Sequence, residues 1–213
     1  MVGLATLIAA PVGVGVALWL TEYGKDSRFA MLVRYFVDVL TGVPSIVFGL
    51  FIYITLVLAT GFGGFAGWKG SLALALLMLP IVTRSAEVAL TLVPDSLREA
   101  ALALGVTRWE MIRTAVLPYS RAGISGAAML GLGRAIGETI AVTIVIGNAP
   151  TIGKQLFDQG YTLAAVIANE FGEAASTPIH RAALIAAGLV LFVLTLLVNG
   201  AARGMVVRAE RRA

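Results

Sequence analysis

Two arginine–glutamate pairs are the residues of this 213-residue chain best placed to do chemistry. Arg84 and Glu87 stand three positions apart, and Arg134 and Glu138 four apart, each pair inside a strongly apolar stretch. On a helix, either spacing puts both members on one face. A charge at mid-bilayer costs about 2.5–3.5 kcal/mol on insertion scales, so such groups face a bundle interior or a water-filled path. Two readings stay open. Each pair neutralises itself and locks helices together, or the arginines line an anion path. A guanidinium is always charged and presents a planar fork that matches oxyanion oxygens. A glutamate beside it moderates the attraction and can accept a hydrogen bond from a protonated oxyanion.

Other chemistries lack their residues. There is no cysteine, so disulfides and thiolate metal sites are excluded, and His180 is a single histidine at a span boundary. No Ser/His/Asp set stands out, and no Gly-x-x-x-x-Gly-Lys-Ser/Thr phosphate loop is present. No catalytic residue and no metal ligand is assigned.

The elements that position the pairs must be membrane helices. Hydrophobic residues make up 59% and charged residues 13% of the chain, and the mean hydropathy is +0.92. That charged share is about half the soluble norm, and a soluble domain of this size could not hide so much apolar surface. About 20 apolar residues cross the hydrocarbon core as a helix. On that length the sequence predicts spans at about 2–20, 39–60, 71–93, 122–147 and 181–202. Pro11, Pro44 and Pro80 are expected to mark kinks, and Gly61–Gly70 a short turn. The glycines of the fourth span, Gly123, Gly126, Gly131, Gly133 and Gly137, are read as close-packing positions, with Gly133 and Gly137 four apart. They also offer places for that span to bend.

Five spans sort the basic residues. Lys25, Arg28, Arg34, Arg98, Arg108, Arg113, Arg121, Arg203, Arg208, Arg211 and Arg212 fall on one side, 11 of the 16 lysines and arginines. Lys69, Lys154 and Arg181 fall on the other. The positive-inside rule puts the first group in the cytoplasm, with the N-terminus outside and the C-terminus inside. The pI near 9.8 is therefore assigned to membrane topology and not to nucleic acid. Within the external segment Thr151–His180, residues Leu163–Phe171 are expected to form a short interfacial helix.

The cytoplasmic segment Pro94–Arg121 reads as two short helices. Asp95 or Ser96 is expected to cap the first, and Gly105 suits a left-handed stop. Thr107-Arg108-Trp109-Glu110 fits a capping box, and Pro118 is expected to end the second helix. Leu97, Ala101 and Leu104, then Trp109, Ile112 and Val116, give the two pieces apolar faces. Glu99-Ala100-Ala101, Gly105 and Leu117-Pro118 together resemble the EAA motif of ABC importer permeases, departing only at Ala115, where isoleucine is typical. The resemblance implies a coupling helix seated in a groove of an ATPase subunit. Glu99 would meet a basic group there, or serve as a first-turn carboxylate favoured by the helix dipole.

Three further stretches extend the resemblance: Gly42-Val43-Pro44-Ser45-Ile46-Val47-Phe48-Gly49, Leu79-Pro80-Ile81-Val82-Thr83-Arg84, and Gly133-Arg134-Ala135-Ile136-Gly137-Glu138-Thr139. With the EAA segment they are similar to the permease subunits of the phosphate-specific ABC importer (PstA/PstC type) over nearly the whole chain. The first two look more like the A-type subunit. The third, and Ala168-Asn169-Glu170-Phe171, look more like the C-type. The resemblance implies an all-α integral membrane protein, a type I ABC importer permease-like bundle over residues 1–213, with five spans visible of an expected six. It also implies that the first span is missing.

By the same resemblance the chain passes phosphate across the bacterial inner membrane by alternating access, and the buried charges Arg84, Glu87, Arg134 and Glu138 are the candidate substrate path. It couples to the ATPase through Glu99, Ala100, Ala101, Gly105, Leu117 and Pro118. It binds no cofactor itself, the ATP being used by the partner. The implied partners are a sister permease in a heterodimer, two ATPase subunits and an external phosphate-binding protein. A permease for sulfate, molybdate or tungstate is the alternative, and an ATP-independent transporter or channel a more distant one.

Overall fold

The computed structural model describes residues 1–25, 27–60, 64–150 and 157–211. Lys154 and Arg212 of the charge tally lie outside the described residues, as do parts of the predicted 61–70 turn and 151–180 segment. The described residues are helical almost throughout. Helix α1, Val2–Leu18, continues through a π turn at Trp19–Tyr23. Next come α2 (Arg28–Gly42), α3 (Ser45–Ile52, extended by wide and tight turns to Thr60) and α4 (Gly67–Thr91). The short helices α5 (Asp95–Ala103) and α6 (Arg108–Met111) lead into α7 (Leu117–Ile136). Helices α8 (Ile140–Ile146), α9 (Leu163–Glu170) and α10 (Pro178–Arg211) complete the chain.

Helix α4 is the centre. Its buried residues run from Gly67 to Leu90, and α1, α2, α3, α7 and α8 all pack on it. Small residues make the closest approaches possible. Ala5, Ala9, Gly13 and Ala17 repeat every four positions on α1 and are buried, and a β-carbon on Gly13 would touch the Val82 side chain at 3.0 Å. One apolar cluster joins Ala5 and Ala9 to Leu74, Met78, Val142 and Ile146. A second joins Ala17, Ala86 and Leu90 to Met111, Ile112 and Val116, so the segment before α7 is part of the core. Helix α10, by contrast, leaves most of its apolar side chains exposed.

Three helices, Val2–Tyr23, Gly67–Thr91 and Pro178–Ala201, are long and apolar enough to cross a bilayer, and two bent pairs bring the number to as many as five. The bends correct the expected spans. The stretch read as a span over 39–60 is divided at Val43–Pro44, where α2 and α3 meet at 101°. Proline disfavours helical backbone in the preceding residue, and Val43 is extended at ψ 130°. The stretch read as a span over 122–147 is broken between Ile136 and Ile140, where α7 and α8 meet at 63°. The helix entering it starts earlier, at Arg108, and Pro118 does not end it. A π turn at Ile112–Val116 precedes that proline and absorbs its missing N–H by widening the hydrogen-bond pattern.

The close-packing glycines also differ from expectation. Gly123 lies against Ala89, and a β-carbon on Gly131 would stand 2.8 Å from Val82, so these two let α7 onto α4. Gly133 faces the Asn199 side chain at ordinary contact distance, and Gly137 has nothing within 4 Å. Gly137 ends α7 instead.

Candidate functional site

The third-span pair is part of a larger cluster. Glu87, on the buried side of α4, accepts from Arg84 Nη1 at 2.8 Å through Oε2 and from Arg34 Nε at 2.6 Å through Oε1. Arg34 comes from α2 and also donates Nη2 to the Leu20 carbonyl at 2.9 Å. Arg84 reaches Asp38 of α2 at 3.5 Å. The Glu87 side chain is 7% exposed and that of Arg84 is 47%, so the carboxylate is enclosed while one arginine keeps an open face. Both oxygens of Glu87 are held by guanidinium groups, which makes it a clamp on two cations. Arg34 and Asp38 escaped the sequence reading because Arg34 counted only as a cytoplasmic charge. Their signal is the i, i+4 spacing of opposite charges, and it acquires meaning only once the turn at Val43–Pro44 lays α2 across α4.

Arg134 and Glu138 do meet, at 3.7 Å, but not on one helix face as expected. Arg134 lies in the last turn of α7, and Glu138 lies beyond the stop at Gly137. Glu138 is buried, and its Oε1 accepts the Ala141 N–H at 3.3 Å, which satisfies one donor at the start of α8. The Arg134 side chain is 51% exposed. Among the described residues the two sequence-predicted pairs stand in separate clusters with no shared ion pair. Beside the first cluster a cavity of about 1330 Å³ opens between α4, α7 and α10, bordered by Arg84, Ser85, Gly133, Asn199 and Arg203.

The coupling-motif segment is a compact turn of two helices. Pro94, with φ −62° typical of the ring, precedes α5, and neither Asp95 nor Ser96 caps it by a side chain. Asp95 is taken instead by Arg98 at 3.1 Å. Gly105 has φ +81°, the left-handed stop. Thr107 and Glu110 form the reciprocal capping box: Thr107 N–H donates to Glu110 at 2.8 Å and Glu110 N–H to Thr107 Oγ1 at 3.3 Å. The backbone bond from Thr107, then the hydroxyl bond from the same residue, hold the Glu110 carboxyl below the ordinary glutamate range. Leu97 and Ala101 pack on the core, whereas Leu104 and Trp109 do not; they are 85% and 57% exposed. Glu99 and Ala100 are exposed on the same short segment, Leu117 is half-buried and Pro118 exposed. Leu104 and Trp109 therefore belong to an outward apolar tip.

Arg98 is the residue of this segment that the sequence reading passed over. It donates Nη2 to Glu22 at 2.9 Å and to the Leu90 carbonyl at 3.0 Å, and Nη1 to the Val93 carbonyl at 2.5 Å. It thereby neutralises a buried carboxylate in the π turn after α1 and satisfies one carbonyl in the last turn of α4 and one just past it.

Among the described residues no group of three or more His, Asp or Glu side chains could hold a metal ion. Residues 9–210 match the family described as binding-protein-dependent transport system inner membrane component. The chain belongs to that family. The permease is 39% identical to the phosphate transport system permease protein PstC of Mesorhizobium japonicum, over 98% of this chain and 71% of that protein. It is 41% identical to PstC 2 of Mycobacterium tuberculosis, over 94% and 69%. Among solved structures, the inward-facing MetNI methionine ABC transporter superposes with a TM-score of 0.72 at 20% identity, covering 98% of this chain and 88% of that one. That likeness establishes the ABC importer permease fold. The permease is thus a multi-pass membrane protein of the ABC transporter class.

Proposed function

We propose that the permease carries inorganic phosphate into a bacterial cell as one membrane subunit of an ATP-driven importer. The observation that carries this reading is the match, along nearly the whole chain, to permeases named for phosphate transport. The partners are a sister permease, two ATPase subunits and an external phosphate-binding protein. ATP is bound and hydrolysed by the ATPase subunits, and this chain holds no cofactor. The charge asymmetry of the loops supports a cytoplasmic C-terminus and a cytoplasmic coupling segment.

The four intramembrane residues divide their work. Glu87 balances Arg34 and Arg84 and sets the position of the Arg84 guanidinium, whose open face receives the anion. Arg134, at the break between α7 and α8, supplies a second exposed guanidinium. Glu138 stands beside it and accepts a hydrogen bond from the protonated oxygen of phosphate, a proton that sulfate lacks at neutral pH. Closure of the ATPase dimer pushes on the tip formed by Glu99, Ala100, Ala101, Leu104 and Gly105, with Leu117 and Pro118 at the root of the following helix. The spans then tilt and exchange access between the two sides.

Competition for uptake tests the substrate. Labelled phosphate uptake by the assembled complex should persist in excess sulfate and molybdate. Displacement by either would reassign the permease to that oxyanion.

A further inference from the structure

The π turn at Trp19–Tyr23 touches the intramembrane charge cluster on one side and the coupling segment on the other. Trp19 meets Phe29 of α2 edge-on, with ring centroids 5.5 Å apart, and the Leu20 carbonyl accepts from Arg34. Glu22 pairs with Arg98 of α5, and the Arg108 guanidinium lies 5.7 Å from the centre of the Tyr23 ring. A π turn is a local widening of the helix and is frequent at functional positions. This one joins two arginines that belong to different parts of the molecule. Arg34 runs from Leu20 to Glu87, which in turn holds Arg84. Arg98 runs from Glu22 to the Leu90 carbonyl in the last turn of α4 and the Val93 carbonyl just beyond it.

We propose that this π turn, gripped by Arg98 through Glu22, is the joint that transmits movement of the coupling segment to the Arg34–Glu87–Arg84 cluster. Arg98 and Glu22 are positioning residues and touch no substrate. The reason is mechanical and electrostatic together. The Glu22 side chain is 4% exposed and Arg98 is its ion-pair partner among the described residues, so the two move as one unit. A displaced α5 drags Glu22, the turn carries the Leu20 carbonyl with it, and Arg34 shifts against Glu87. The Arg84 guanidinium is then held or released according to the state of the coupling segment.

The proposal rests on the reading of the chain as an ATP-driven permease, and the test separates the two. Phosphate taken up per ATP hydrolysed is measured in proteoliposomes holding the complete complex, for the parent, Arg98→Lys, Glu22→Gln and the double variant. Lysine keeps the charge but cannot bridge the same set of acceptors, and glutamine keeps shape while losing charge. Each single variant should lower the ratio about fivefold or more, and the double variant should fall no further than the worse single, because both cut one link. Ratios within about twofold of the parent, or losses that multiply in the double variant, would overturn the joint. Failure of both single variants to assemble would also overturn it, since the pair would then serve the fold alone. A parent that takes up phosphate without ATP would instead sink the ATP-driven reading, and the joint with it.

Discussion

Arg34 and Glu87 meet at 2.6 Å although 53 positions separate them, and this contact fixes α2 across the central helix α4. It turns what reads as a simple i, i+3 pair into a carboxylate shared by two guanidinium groups. Replacing Glu87 with glutamine removes the carboxylate that Arg34 and Arg84 share and leaves Asp38, 3.5 Å from Arg84, as the nearby counter-charge. Losing one partner of a buried pair costs about 3–5 kcal/mol. Glu87→Gln is expected at the low end of that range, because Arg84 is half-exposed, and a lowered unfolding midpoint of the detergent-solubilised complex checks it.

Arg134→Ala should behave differently. Its side chain is half-exposed and stands 3.7 Å from Glu138 without a close hydrogen bond. Assembly should therefore survive, while phosphate uptake falls about tenfold or more through loss of a charge-assisted contact to the anion. Co-purification of all subunits together with an uptake assay reads both. Undiminished uptake would remove Arg134 from the path.

Gly105 and Gly49 give a contrasting pair. Gly105 has φ +81° and open space around it, so only backbone strain opposes a side chain there. Gly105→Asn should be tolerated and Gly105→Val should cost about 1–2 kcal/mol and loosen coupling, seen as ATP hydrolysis without matching uptake. At Gly49 the obstacle is contact. A β-carbon would stand 2.8 Å from Ala141 Cα and 2.9 Å from its carbonyl oxygen, both backbone. Gly49→Ala should force α3 off α8 and lower the unfolding midpoint, whereas Gly126→Ala, with nothing within 4 Å, should not.

The capping box gives a pH dependence. Glu110 has its carboxyl held below the ordinary value of 4.5 by the Thr107 backbone and hydroxyl. A group depressed on folding stabilises above its unfolded value, and that contribution is lost as pH falls through the folded value. The start of α6 should therefore be fully capped at neutral pH and fray in acid below 4.5. Amide exchange at Thr107 and Glu110 would follow the change. Glu110→Gln retains an acceptor and should flatten the profile.

The turn of two short helices at Asp95–Ala103 and Arg108–Met111 was legible in the sequence because its signals are local. The left-handed glycine and the Thr107–Glu110 box both act within a few positions. Besides the Asp95 or Ser96 cap and the Pro118 stop, what failed was long-range. The glycine-rich run 122–147 presents one apolar window, and nothing in it distinguishes Gly137 as a stop from Gly131 as a contact until α4 is in place. Pro44 was visible, but the direction of the 101° turn that brings Arg34 to Glu87 was not. Arg98 was hidden for the same reason, since its acceptors Glu22 and Leu90 belong to other spans.

ATP-driven phosphate import is tested by labelled phosphate uptake into proteoliposomes that contain the permease, its sister subunit, the ATPase and the binding protein. Hydrolysable ATP is compared with a non-hydrolysable analogue inside the vesicles. Phosphate should accumulate with hydrolysable ATP alone. Equal uptake with the analogue, or no uptake by an assembled complex, would contradict ATP-driven import.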